Sequence, residues 1–214
     1  TITFLLYRTI ICIMIISEDI SECAQVWFDI FLSMHLQKKV GPGTDMEAIK
    51  AHLSQYGNNH EELALIEDLA VLHHHPDLKY LEPWYAFIKK VRAGKTAWLD
   101  MVDYTDEGDS IFYYLHYDGT EFLLVEDTTR DRFGFPVYSK EKFTKLYEFT
   151  EEGDNGSTQY YAVLSNVELT SMAHMTEVYW EVYAEWEAGE FDPYTIEYQR
   201  FSRQLVWTSL NNPS

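Results

Sequence analysis

The feature that most constrains this chain is a change of texture at Gly94. Beyond it, "TAWLDMVDYT" (96–105), "SIFYYLHYDG" (110–119) and "TEFLLVEDTT" (120–129) follow one another, each short, aromatic and β-branched. Turn residues separate them, so they read as three consecutive antiparallel strands. Within the second, Ile111, Tyr113, Leu115 and Tyr117 share one face, and Phe112, Tyr114 and His116 share the other. Asp118-Gly119 is a two-residue hairpin signal. "KLYEFT" (145–150) and "TQYYAVL" (158–164) flank "EEGDNGS" and supply a fourth and fifth strand.

Helical spacing dominates on either side of this block. "GPGTD" ends in Thr44 and Asp45, either of which can cap a helix over "MEAIKAHLSQYG", where Ile49, Leu53 and Tyr56 share a face. "HEELALIEDLAVLHHHP" reads as a second helix stopped by Pro76, with a buried strand at "LALI" as the alternative. "EPWYAFIKKVRAGK" reads as a third, with Pro83 in its first turn and Trp84, Phe87, Ile88 and Val91 as its stripe. Near the C-terminus, Leu169, Met172, Thr176, Tyr179, Tyr183 and Trp186 fall at helical spacing up to Gly189. "DPYTIEYQRFSRQLVW" reads as one further helix, on Ile196, Arg200, Arg203 and Trp207.

The fold class expected is therefore α+β: an antiparallel sheet of about five strands, N-terminal helices, and one or two C-terminal helices packed on the sheet. Residues 41–214 are expected to form one domain, helical over 44–93, sheet over 97–165 and helical over 168–209. Residues 1–40 stand apart. "TITFLLYRTIICIMIIS" is apolar but short for a spanning helix, is interrupted by Arg8, and is followed by Glu18, Asp19 and Glu22. It admits three readings: a degenerate leader or anchor, an element of the core, or sequence upstream of a start at Met14, Met34 or Met46. The last is favoured, because the residues after Gly41 are better organised. Cys12 and Cys23 both lie in this segment, without a CxxC neighbour.

Charge narrows the function classes. The chain of 214 residues carries a net charge of −19, of which −4 falls in residues 1–93 and −15 in residues 94–214. Such a surface repels phosphate backbones and anionic lipid. Nucleic acid is excluded as a partner, and membrane contact is left only to the N-terminal segment. A well-solvated surface, which is the favoured reading, a basic protein partner and cations are the readings that remain; the macromolecular partner expected is a protein, basic in character.

Candidate sites are few. Asp103, Asp106, Glu107 and Asp109 crowd "YTDEGD" and could offer oxygens to a hard cation, but the twelfth position counted from Asp103 is Tyr114, so an EF-type loop fails. The alternative is a solvated hairpin tip, with Gly108 supplying a positive φ. His73, His74 and His75 are consecutive, so on a helix they would splay around the axis. His174 and Glu177 stand at i, i+3 with no third partner on their helix. No GxGxxG, P-loop, GxSxG or HExxH motif occurs. Hence no catalytic residue, no cofactor and no enzymatic activity are expected. The binding candidates are Tyr104, Asp106, Glu107, Asp109, Asp127, Arg130, Asp131 and Phe133 in the turn and in "DTTRDRFG", and Glu177 and Glu181 on the C-terminal helix. Internal salt bridging is the competing role for the "DTTRDRFG" residues.

The helix ending "FIKKVRAGK", the turn "YTDEGD", the hairpin "YDG" and the loop "DTTRDRFG" together resemble a domain of unknown function found in small lipoprotein-type proteins of Bacillus and relatives. The resemblance covers about residues 80–165 and implies an envelope-associated, non-catalytic domain with no assigned mechanism. This chain lacks a clear lipobox and adds a long acidic C-terminal helix; if residues 1–40 are not a leader, a cytoplasmic location follows instead. The function expected is a non-enzymatic acidic binding domain. The alternatives are an immunity or inhibitor protein that neutralises a basic toxin or nuclease, and a metal-dependent hydrolase.

Overall fold

The computed structural model describes residues 41–72, 78–153, 156–189 and 202–210. Its elements all fall within one compact unit, Gly43–Ser214. The first helix, α1 (Met46–Leu53), starts where Asp45 accepts a hydrogen bond from the Ala48 amide at 2.9 Å, and it buries Ile49 and Leu53. The helix expected over 60–76 is not one helix. A single turn, α2 (His60–Leu63), is capped by Asn59 and gives way to a short strand, β1 (Leu69–Val71). The reason is two-sided burial. Leu69 and Val71 point into one core and Ala70 into the other, a pattern a strand between two layers satisfies and a surface helix does not. A 3-10 turn (Leu78–Leu81) leads into α2's successor, α3 (Glu82–Arg92), with Pro83 in its first turn and Trp84, Phe87 and Ile88 buried as expected.

The central sheet runs β1, β2 (Ala97–Tyr104), β3 (Ser110–Tyr117), β4 (Phe122–Asp127) and β5 (Tyr138–Phe143) in sequence order. Strand β1 pairs parallel to β2, and the rest are antiparallel. The β3–β4 loop is four residues rather than two, because the Asp118 carboxylate accepts from the Thr120 amide and hydroxyl and the Glu121 amide. Strand β5 was not expected; only Phe143 of its six residues is buried.

A second sheet, β6 (Lys145–Glu152), β7 (Thr158–Ser165) and β8 (Ser202–Leu210), takes the place of a simple extension of the first. The chain changes sheets at Thr144. There Asn166 accepts from the Thr144 amide at 3.0 Å and donates to the Lys142 carbonyl at 2.9 Å. The helix expected over 192–207 is corrected by β8: its β-branched and apolar run pairs along β7, with a register shift beside Ala162. The part of that segment over 190–201 lies outside the described residues.

Two cores result. Ile49, Leu53 and Leu63 cover one face of the central sheet, over Phe112, Tyr114, Leu123 and Val125. On the other face Trp84, Phe87 and Ile88 of α3, with Tyr160, Ala162, Leu164, Leu205 and Val206 of the second sheet, enclose Leu99, Met101, Leu115 and Leu124. Polar ties cross this second core. The Trp84 indole donates to the Tyr160 hydroxyl at 3.0 Å, Tyr160 donates to Glu148 at 2.7 Å, and Arg92 pairs with the same carboxylate. Arg203 of β8 pairs with Glu126 of β4 and lies 3.8 Å from Glu141 of β5.

The C-terminal helix, α4 (Met172–Glu187), differs from expectation in its packing. Ser171 accepts from the His174 amide, and the Glu151 carboxylate accepts from the Met172 amide at 3.1 Å, which suits the positive end of the helix dipole. Beyond this anchor, none of its described side chains is buried against a sheet.

Candidate functional site

The acidic turn and the aspartate-rich loop, separate in sequence, meet in space. In the turn, the Thr105 amide donates to the Asp109 carbonyl, the Gly108 amide donates to the Thr105 carbonyl, and the Asp109 amide donates to the Thr105 hydroxyl. Gly108 holds φ at +85°, a left-handed conformation that favours glycine. The Asp109 side chain turns inward and accepts from the Arg132 amide at 3.0 Å and from Arg132 Nε at 2.8 Å. The Arg132 amide first, and then its guanidinium, hold the Asp109 carboxyl below the usual carboxylate range against the opposing effect of burial. His60 of α2 closes the same end by donating to the Gly108 carbonyl at 2.8 Å, with its ring 3.9 Å from that of Tyr104.

The loop's own charges are internal. Asp127 is fully buried; its Oδ1 accepts from the Thr129 amide and hydroxyl, and its Oδ2 accepts from Arg130 at 2.7 Å. Arg130 also donates to the carbonyls of Leu53, the last residue of α1, and of Tyr56 in the turn beyond it, and lies 4.4 Å from the Phe112 ring centroid. Asp127 and Arg130 thus act as a clamp on a helix end, where unpaired carbonyls need donors. Asp131 accepts from the amides of Phe133 and Gly134. A Cβ at Gly134 would lie 2.3 Å from Asp131 Oδ2, so a side chain there would push the Asp131 carboxylate off the two amides it holds. The internal role weighed for these residues is the one that the geometry supports for Asp127, Arg130 and Asp131. Asp106, Glu107 and Phe133 remain exposed.

Among the described residues no group of three His, Cys, Asp or Glu is placed to hold a metal ion, and the turn acids Asp103, Asp106, Glu107 and Asp109 do not converge. His73, His74 and His75 lie outside the described residues. His174 does not engage Glu177; its Nδ1 accepts from the Thr170 amide at 3.3 Å.

On α4 the exposed side chains form a coherent surface. Glu177, Glu181 and Glu185 follow each other at i, i+4 and make no ion pair among the described residues. Trp180 is 59% exposed beside Tyr179, and its ring stands edge-on to those of Tyr179 and Tyr183 at 5.3 and 5.8 Å.

One polar cluster was missed by sequence reasoning. Asp100, in the middle of β2, is buried, and its Oδ2 accepts from His52 Nε2 at 2.7 Å and from the Tyr56 hydroxyl at 2.5 Å. Its Oδ1 has no hydrogen-bond partner among the described residues. The His52 ring meets Trp98, Tyr56 and Tyr114 edge-on at 5.7 to 6.3 Å, so the rings fill the space between α1 and the sheet. The signal was available: strand alternation places Asp100 on the inward face with Trp98 and Val102.

An α+β domain with charge-locked loops and an acidic aromatic helix is thus the class that fold and surface define. Residues 67–160, somewhat less than half of the chain, match the family model of a domain of unknown function (DUF4362). The match runs from just before β1 into β7, and it contains the turn, the hairpin and the aspartate loop. No curated protein and no solved structure matches the chain significantly. Among the described residues no helix is long and apolar enough to cross a membrane.

Proposed function

We propose that this domain is a non-enzymatic protein-binding module and that α4 is a contact surface for a basic partner. The observation that carries the reading is the row Glu177, Glu181, Glu185, exposed and without an ion pair among the described residues, beside the exposed Trp180. Like charges at i, i+4 cost an isolated helix about 0.2–0.5 kcal/mol per pair. Short helices in water draw most of their stability from packing. A lysine- or arginine-bearing surface would relieve both deficits at once, and tryptophan is a frequent interface anchor.

The test is affinity capture from native extract at low and at high salt, with the chain and with a Glu177→Gln/Glu181→Gln/Glu185→Gln variant. The expected result is a basic protein held at low salt, released at high salt, and not held by the variant. Equal capture by both chains at both salt levels would refute the reading.

A further inference from the structure

The β4–β5 loop presents a second surface of a different kind. Phe133 is 73% exposed and Phe135 89%, with Val137 also exposed beside Pro136. Exposed apolar clusters of this sort on a folded domain mark contact sites. The loop is also held rigidly. Thr128 donates from its hydroxyl to the Phe135 carbonyl at 2.7 Å and accepts from the Val137 amide, and its own amide donates to the Val137 carbonyl at 3.0 Å. Asp131 fixes the Phe133 and Gly134 amides, and Arg132 is tied to Asp109. Two phenylalanines are thereby held in solvent by a frame that is ordered before any partner arrives, which lowers the entropic cost of binding.

The surroundings decide what the partner looks like. The Arg132–Asp109 pair brings the exposed Asp106 and Glu107 to this end of the molecule. The His60–Gly108 bond brings the exposed Glu61 and Glu62 of α2. The nearby cation, Arg132, is already paired with Asp109. We propose that Phe133 and Phe135 are a rigid apolar anchor for the apolar face of a partner protein's helix that is flanked by lysine or arginine. The acids oppose anionic lipid, and a second copy would set acids against acids. This contact is independent of α4 and goes beyond the reading given for it.

The probe is a synthetic amphipathic leucine–lysine helical peptide, titrated by fluorescence anisotropy against the chain, a Phe133→Ser/Phe135→Ser variant and a variant at an exposed ring of α3 assigned to neither surface, Tyr85→Ala. The expected result is a loss of affinity of about tenfold or more in the double variant and a change under about twofold in Tyr85→Ala. A serine–lysine peptide of equal charge should not distinguish the chain from the double variant. Phe135→Ala alone, at the most exposed ring, should give a loss in the same direction should the double variant fail to fold. Equal affinity of chain and double variant for the leucine–lysine peptide overturns the proposal. So does phenylalanine-dependent sedimentation with phosphatidylcholine vesicles, or phenylalanine-dependent self-association, without an effect on peptide binding.

Discussion

Replacing Arg130 with methionine tests whether the aspartate loop is a structural clamp. The Arg130 side chain is 14% exposed and pairs with an Asp127 carboxylate that is fully buried. Removing one partner of a buried pair leaves an uncompensated charge and typically costs about 3–5 kcal/mol, whereas an exposed pair is worth about 0–1. The Tyr56 carbonyl loses the Arg130 donor and the Leu53 carbonyl keeps only the Tyr56 amide, so the end of α1 loosens with the loop. For a chain of this length about 2–4 °C accompanies each kcal/mol, so the melting temperature should fall by roughly 6–20 °C. Urea unfolding followed by tryptophan fluorescence reads the free energy, and hydrogen exchange should show the α1 amides losing protection first. A cycle through Asp127→Asn sharpens the test. With the carboxylate neutralised, Arg130→Met should cost about 1.5–3 kcal/mol less than it does alone. A cost below about 1 kcal/mol in the parent background, or a cycle that closes on simple additivity, would refute the clamp and return Arg130 to the recognition role.

Two further perturbations follow from the turns. The Glu121 amide, then the Thr120 hydroxyl and amide, hold the Asp118 carboxyl down to about 2. Its pKa is lowered by folding, so its contribution is complete above the unfolded value of about 4 and is lost as pH falls through about 2. Carboxyl NMR titration should find it there, and Asp118→Ala should flatten the acid limb of the stability curve in that window; titration at an ordinary aspartate value would contradict the turn geometry. Gly108→Ala should cost about 1–2 kcal/mol from the positive φ alone, because the added Cβ would stand at an ordinary 3.6 Å from His60. Gly108→Asn should cost less, and urea midpoints for the two variants check both values.

The strands β2, β3 and β4 were legible because short alternating runs bounded by turn residues have few other outcomes. So were the start of α1, with Thr44 and Asp45 as the two candidate caps, and the Trp84 face of α3. What escaped was decided by distant contacts. Strand β5 reads "YSKEKF", too polar to register as a strand, and it exists because β4 offers an edge. The run "LAVL" is equally compatible with helix and strand until two layers bury both of its faces. In the sequence, the spacing of Arg200, Arg203 and Trp207 mimicked helical turns, while in β8 Leu205 and Val206 carried the strand propensity that β7 made decisive. The site divides in the same way. That the turn and loop are built by aspartates and glycines could be read locally, but the bond between Asp109 and Arg132 spans 23 positions and could not.

That pairing also changes what acidity means in this domain. Asp109, Asp118, Asp127 and Asp131 each fix a backbone amide or a guanidinium, so their conservation of local geometry would hold whatever the domain binds. The net charge of the second half is therefore a poor guide to function until these residues are set aside. Among the described acids that stay exposed are Asp106 and Glu107 beside the phenylalanine loop, and Glu177, Glu181 and Glu185 beside Trp180. In both places acids surround exposed rings. Acids alone would give fast, salt-sensitive encounter with little grip, and rings alone would risk unspecific association. Placed together, the charge selects a basic partner on approach and the rings supply the slow dissociation, so neutralising the acids should act on association rates and removing the rings on dissociation rates.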